Sequence, residues 1–278
     1  MTPAEQFNRV ERERRQREAE LLALLLLLTT GARRYAASAI RHGLSPTEAI
    51  TRHVMGHAPL DLRGAARPIA KAMLEAHSNA VSRVEKLVNV ELKFSPAAEQ
   101  QFVRYYANAA QEYAATINRQ LVKAVAEAQR IGIAEGHNVV EQVRDLRDAF
   151  DAAGMSPDHP HRLDGIATKA VLEADGGGTA AAIEEPEAKE QITALTHYSV
   201  IDPGTTKICR ARKGITLPPD AEYWTRNYPM LHEGCRSAVL PRIGAVKFKE
   251  PPEILPAPTP GFGVAPWVTG LTRGPLAA

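Results

Sequence analysis

Apolar residues recur at helical spacing through most of the first 190 residues of the chain. The fourth of these segments has the clearest pattern, because its apolar residues lie three or four positions apart and so share one face of a helix. They are Phe102, Tyr106, Ala109, Tyr113, Ile117 and Leu121. This spacing predicts a long helix that packs against its neighbours along most of its length.

Capping residues set the boundaries of the predicted helices. Ser45, followed by Pro46 and Glu48, has the pattern of an N-terminal capping box. Similar signals predict six helices, over residues 3 to about 28, 45–58, 65–90, 95–132, 134–153 and 162–174. We expect the first to carry a solvated, charged start, and the glycines at 176–178 to end the sixth and form a linker.

Beyond residue 190 the pattern changes. Residues 196–200, 238–243 and 246–248 are rich in β-favouring side chains and predict short strands. The proline- and glycine-rich end predicts an extended arm that floats or lies on a partner. The predicted fold is therefore mainly α with a small C-terminal α+β domain. Its divisions are a helical region (1–190), a small domain (191–249) and an arm (250–278).

Composition limits the possible functions. The chain has 34 basic and 32 acidic residues, so its net charge of +2 gives no global attraction to nucleic acid. The apolar run at 21–28 is far shorter than the ~20 residues that cross a bilayer. The charged segment before that run is unlike a signal peptide. We therefore expect no contact with a membrane and synthesis in a bacterial-type cytoplasm.

The only two cysteines, Cys209 and Cys235, lie near His232 in the sequence. With Asp202 they make an oxygen, nitrogen and two-sulfur ligand set that a tetrahedral Zn²⁺ accepts. A Cys209–Cys235 disulfide and a pair of free buried thiols remain as alternatives. A nucleophilic Cys–His pair is the least favoured, because no glycine-framed nucleophile is evident. We expect no enzyme activity.

A cluster of basic residues occupies the same segment. It consists of Lys207, Arg210, Arg212 and Lys213. Such a cluster could contact DNA phosphates, or it could simply be a solvated loop.

The order of uncommon residues from 197 to 243 resembles the C-terminal signature of the phage head morphogenesis family, the Mu F-like minor head proteins. The matching positions are Asp202, Thr205 or Thr206, Cys209, Arg210, Gly214, Trp224, Pro229, His232, Cys235, Arg236 and Ser237. The resemblance covers about 45 residues, and the upstream helices resemble the family only loosely.

This resemblance implies a minor capsid protein of the virion, inside the head near the portal and present in several copies. Its implied partners are the portal protein and the major capsid or scaffolding protein, with packaged DNA as a further candidate. Its implied role is head morphogenesis, with DNA packaging or ejection as further roles. The alternatives are a zinc-stabilised DNA-binding module and an injected effector enzyme.

Overall fold

A computed structural model describes residues 2–55, 64–232, 234–260 and 262–263. Within these ranges the chain is mainly helical with one small antiparallel sheet, which confirms the predicted fold class. The helices are α1 (Pro3–Arg41), α2 (Pro46–Met55), α3 (Ala66–Val88), α4 (Pro96–Glu135), α5 (Val139–Ala152), α6 (His161–Glu184), α7 (Pro186–Lys189), α8 (Lys207–Arg212) and α9 (Tyr223–Asn227). The strands are β1 (Ile192–Ser199), β2 (Thr216–Leu217) and β3 (Ser237–Ile243).

The chain forms two compact units, each assembled from separate stretches of sequence. The first contains Met1–Gln16, Met73–Tyr105 and Val171–Ala278, and the second contains Arg17–Ala72 and Tyr106–Ala170. This division differs from the predicted boundary near residue 190. The physical reason is that the sheet buries apolar side chains against helices that lie far upstream in the sequence.

The sheet of the first unit has the order β2-β1-β3, with both pairings antiparallel. One core cluster joins the sheet to α3, α6 and α9, and it includes Val84, Ile183, Leu195, Leu217 and Trp224. A second cluster packs Phe7 and Val10 of α1 on Ala238 and Leu240 of β3. The central strand β1 is buried over most of its length.

A buried ion network lies in the first unit. The guanidinium of Arg14 donates to Asp175 at 2.7 Å and to the carbonyl of Ser237 at 3.0 Å. Arg83 pairs with the other oxygen of Asp175 and with Glu13. Arg14 is 4% exposed, so the prediction of a solvated, charged start to α1 is wrong at this position.

The glycines at 176–178 do not end α6, which continues to Glu184. A Cβ built on Gly178 would lie 2.4 Å from the carbonyl oxygen of His77 in α3. The missing side chain therefore lets the two helices approach closely, and this contact outweighs the low helix propensity of glycine. The predicted linker is wrong for that reason.

The second unit is formed by helices alone in the described residues. Its buried side chains include Leu21, Leu25, Ile50, Leu121 and Phe150, which lie on α1, α2, α4 and α5. Asn138 and Glu141 form a capping box at the start of α5. Among the described residues, no helix has the length and apolar content needed to cross a membrane.

The described part of the arm folds back on the first unit. Thr259 N–H donates to the carbonyl of Leu231 at 2.9 Å, and Tyr228 N–H donates to that of Gly263 at 3.0 Å. This part of the arm therefore lies on its own chain, contrary to the prediction that the arm floats or lies on a partner, while residues 264–278 lie outside the described ranges. Residues 246–248 do not form the predicted strand. Instead, the next residue, Lys249, forms an isolated bridge with Thr216.

Candidate metal centre

The register of β1 and β3 determines which parts of the chain meet. These strands are antiparallel neighbours with Ser199 opposite Ser237, so the residues that follow β1 lie beside those that precede β3. The two serine hydroxyls are 2.8 Å apart, and the Ser199 hydroxyl also donates to the carbonyl of Cys209 at 3.2 Å. The strand ends are thereby tied to the start of the site.

Asp202 and Arg236 form a bidentate ion pair, with both oxygen–nitrogen distances at 2.7 Å. The other contacts of this turn are local: the Thr205 hydroxyl lies 3.0 Å from Asp202 Oδ1 and 2.9 Å from the carbonyl oxygen of Val200. Hydrogen bonds from Arg236 and then Thr205 hold the pKa of Asp202 well below its usual range.

Helix α8 places Cys209 in the interior. The Thr206 side chain caps the helix by accepting a hydrogen bond from Cys209 N–H at 3.3 Å. Arg210 then reaches back to the preceding turn, where it donates to the carbonyls of Thr205 and Asp202. The helix is short, and these bonds at its first turn fix the direction in which Cys209 points.

Cys209, His232 and Cys235 converge in one group. His232 Nε2 lies 3.0 Å from Cys209 Sγ, and the two sulfur atoms are 3.8 Å apart. All three ligand atoms lie within 4.8 Å of one another. Both cysteines are buried and not disulfide-bonded, with Leu231 packed against them, and His232 is half-buried.

The two thiols affect each other's ionisation. The hydrogen bond from Cys209 lowers the pKa of Cys235 to about 5, while the same interaction followed by burial raises the pKa of Cys209. One negative charge is therefore favoured on the pair. A thiolate is the form of cysteine that binds metals.

The separation of the two sulfur atoms fits a tetrahedral ion. Zinc–sulfur bonds of ~2.3 Å at the tetrahedral angle place two sulfurs about 3.8 Å apart, and Cys209 and Cys235 have this separation. The matching sulfur–nitrogen edge is about 3.6 Å, so His232 would have to move away from Cys209 by roughly half an ångström. These three residues could therefore hold a metal ion.

Asp202 is not part of this group. Its two oxygens are engaged by Arg236, so the predicted four-residue ligand set loses its oxygen donor. A small cavity of about 20 Å³ lies beside the group and is lined in part by Gly204, Thr206 and Ser237. A cavity of this size can hold one water molecule, which could supply a fourth ligand.

The four residues of the predicted DNA-contacting cluster differ in their burial and contacts. Arg212 is 1% exposed and donates to Asn227 Oδ1 and to the carbonyls of Ile208 and Pro256, so the prediction that it contacts nucleic acid is wrong. Arg210 is exposed but engaged with the turn carbonyls. Lys213 lies over the Tyr198 ring at 5.0 Å, and Lys207 is exposed.

Other positions of the resemblance serve the fold. Gly214 has φ +81°, which favours glycine, and its N–H donates to the carbonyl of His197 at 2.7 Å. Trp224 is fully buried, with its indole N–H donating to the carbonyl of Pro218 at 2.9 Å. Both residues stabilise the sheet and loops that carry the site.

Sequence reasoning missed two supports of the site. Arg14, in α1, donates to the carbonyl of Ser237, and Arg212 connects α8 to the last residue of α9 and to the arm. The only signal for Arg14 was its helical spacing from the buried Phe7 and Val10. For Arg212 the sequence carries no such signal.

Comparisons of the chain with protein-family models, with curated proteins and with solved structures found no match.

Proposed function

We propose that the chain is a minor head protein of a bacteriophage, a structural component of the head interior near the portal that acts in head morphogenesis. One observation carries the proposal: the two halves of the signature-like sequence, separated by more than 20 residues, come together in one site. Asp202 pairs with Arg236, and Cys209 meets His232 and Cys235. Agreement between residue order and spatial grouping supports the resemblance.

The burial of the site favours a structural role over catalysis. Cys235 is 1% exposed and Cys209 is 3% exposed, so both thiols lie in the interior. The side chains of Asp202, Thr205 and Thr206 are hydrogen-bonded within the same segment. Contacts with portal, major capsid or scaffolding protein would then use the outer surfaces of the fold.

The test is mass spectrometry of procapsids, intact virions and emptied heads of the phage that encodes the chain. We expect the protein in procapsids and virions at a few copies per particle. An Arg236→Gln substitution should reduce incorporation, because it breaks the pair that holds the signature segment. The matched control is Arg130→Gln, which removes an exposed arginine paired only within α4. Absence of the wild-type protein from all particles would contradict the proposal.

We infer that zinc is the metal held by Cys209, His232 and Cys235. Two thiolates and one imidazole are the donors that zinc prefers, and the sulfur–sulfur distance suits its tetrahedral geometry. A bound ion would cross-link α8 to the residues before β3 and so stabilise the fold.

Metal content distinguishes this ligand set from the one that includes Asp202. We expect about one zinc per chain, and tetrahedral thiolate absorption after replacement by Co²⁺. Cys235→Ser and His232→Gln should lose the metal, whereas Asp202→Asn should retain it. Absence of bound zinc in wild-type protein purified without chelators would contradict the inference, and loss of zinc in Asp202→Asn would restore Asp202 as a ligand.

A further inference from the structure

Five arginines line a cleft of about 370 Å³ in the second unit. Arg33, Arg34 and Arg41 come from α1, and Arg144 and Arg147 come from α5. All are exposed except Arg33, which is half-buried. The cleft is distinct from the candidate metal centre, which belongs entirely to the first unit.

Little negative charge offsets these arginines. Among the described residues, only Arg147 has an acidic partner, its neighbour Asp148 at 3.3 Å. Residues 21–47 of the chain include no aspartate or glutamate. On α5, Glu141 is used in the helix cap and Asp145 accepts from His137. The cleft therefore presents four guanidinium groups without a protein counter-charge in the described part of the chain.

The arrangement suits an extended anion. Arg33 and Arg41 are eight residues apart on one helix, which places their Cα atoms about 12 Å apart. Duplex DNA carries one phosphate per ~3.4 Å of each strand, so about three phosphates span that length. Arginine can bind phosphate oxygens through two parallel hydrogen bonds. Exposed side chains on two helices can follow a backbone, whereas a small anion would leave some of them unused.

We propose that this cleft binds the phosphodiester backbone of double-stranded DNA without sequence preference. The arginines repel one another in the free protein, and DNA phosphates supply the missing counter-charge. Val140, which is 78% exposed beside the arginines, offers an apolar contact but no hydrogen bond to a base edge. The proposal does not rest on the role in head assembly, because it concerns other residues and can be tested on the purified chain.

The experiment measures fluorescence anisotropy of a labelled 20-base-pair duplex against the full chain at several salt concentrations. Five contacts predict a slope of log K against log salt of about −4.5. Replacing Arg33, Arg34, Arg41, Arg144 and Arg147 by glutamine should weaken binding at least tenfold and bring the slope close to zero. The double variant Arg34→Gln/Arg144→Gln should make the slope less negative by about 2. It tests the same proposal if the variant with five replacements does not fold.

A matched variant controls for net charge. It replaces five exposed arginines elsewhere, namely Arg52, Arg104, Arg119, Arg130 and Arg162. This variant should bind DNA nearly as well as the wild type, with an unchanged slope. Equal losses in both variants, or wild-type binding by the cleft variant, would overturn the proposal. So would a failure of the wild type to bind at low salt, or tighter cleft-dependent binding of polyglutamate or anionic vesicles than of DNA.

Discussion

Asp202 and Arg236 pair through two hydrogen bonds although 34 residues separate them in the sequence. The pair joins the turn after β1 to the residue directly before β3. It lies at the surface, with about a third of each side chain exposed. Solvent and salt therefore moderate its strength.

The Asp202→Asn substitution should lower the thermal unfolding midpoint at pH 7 by a small amount. The folded-state pKa of Asp202 is depressed, so its stabilising effect is present above the unfolded value near 4 and is lost as pH falls. The difference between wild type and variant should therefore shrink below about pH 4 and also at high salt. A double-mutant cycle with Arg236→Gln measures the interaction energy between Asp202 and Arg236. Additive effects of the two substitutions would show that the pair does not stabilise the fold.

The buried ion network predicts a larger effect at Arg14. Arg14→Met should reduce the free energy of unfolding by about 3–5 kcal/mol, because Asp175 loses a partner in the interior. Arg15→Met is the matched control on the next position of α1, where an exposed arginine pairs with Glu11. It should change stability by less than about 0.5 kcal/mol. Urea unfolding measures both, and similar values for the two variants would contradict the prediction.

The glycines of α6 predict opposite effects two residues apart. Gly178→Ala should destabilise the protein by about 1–3 kcal/mol, because the added Cβ would meet the carbonyl of His77. Gly176→Ala places its Cβ no closer than 3.6 Å to other atoms. It should be neutral or stabilising by up to ~1 kcal/mol through helix propensity. Thermal unfolding of both variants provides the check. An unchanged unfolding midpoint in Gly178→Ala would argue against the close helix contact.

Two buried histidines predict loss of stability in mild acid. Burial lowers the pKa of His197 to about 3, with a further contribution from the charge of Arg212, and burial lowers that of His77 to about 4. Below the unfolded value of about 6.5 the unfolded chain takes up protons that the folded chain does not, so stability falls as pH falls. At pH 5 each histidine accounts for about 2 kcal/mol.

His197→Leu should remove roughly half of that loss, because it replaces the titrating ring with an apolar side chain. Urea unfolding at pH 7.5 and pH 5 measures the effect. His42→Leu is the control, since it makes the same replacement at an exposed histidine in the turn after α1. An unchanged pH dependence in His197→Leu would show that this ring is protonated in the folded protein.

Most helices were predictable from the sequence because their signals are local. The capping box at Ser45 and the apolar stripe from Phe102 to Leu121 depend only on residues within a few turns of each other. The end of α6 was mispredicted at its glycines for the same reason. Their low helix propensity is a local property, whereas the contact between Gly178 and His77 spans about a hundred residues.

The types of residue in the candidate site were predictable from the sequence, but which of them lie together was not. Residue order brought Asp202, Cys209, His232 and Cys235 together as one ligand set. In the structure, the last three residues lie together, whereas Asp202 forms an ion pair with Arg236. The choice between a metal and an arginine as the partner of a carboxylate depends on distances set by the β1–β3 register. No spacing along the chain contains that information.

The sequence alone specified a mainly helical protein and the segment in which thiols and imidazole occur, because periodicity, capping and residue chemistry are local properties. Tertiary packing specified the rest: the burial of Arg14 and Arg212, the close approach at Gly178, and the grouping of arginines from α1 and α5. These features depend on which helices become neighbours. That outcome is set by the burial of apolar surface over the whole chain and not by any single segment.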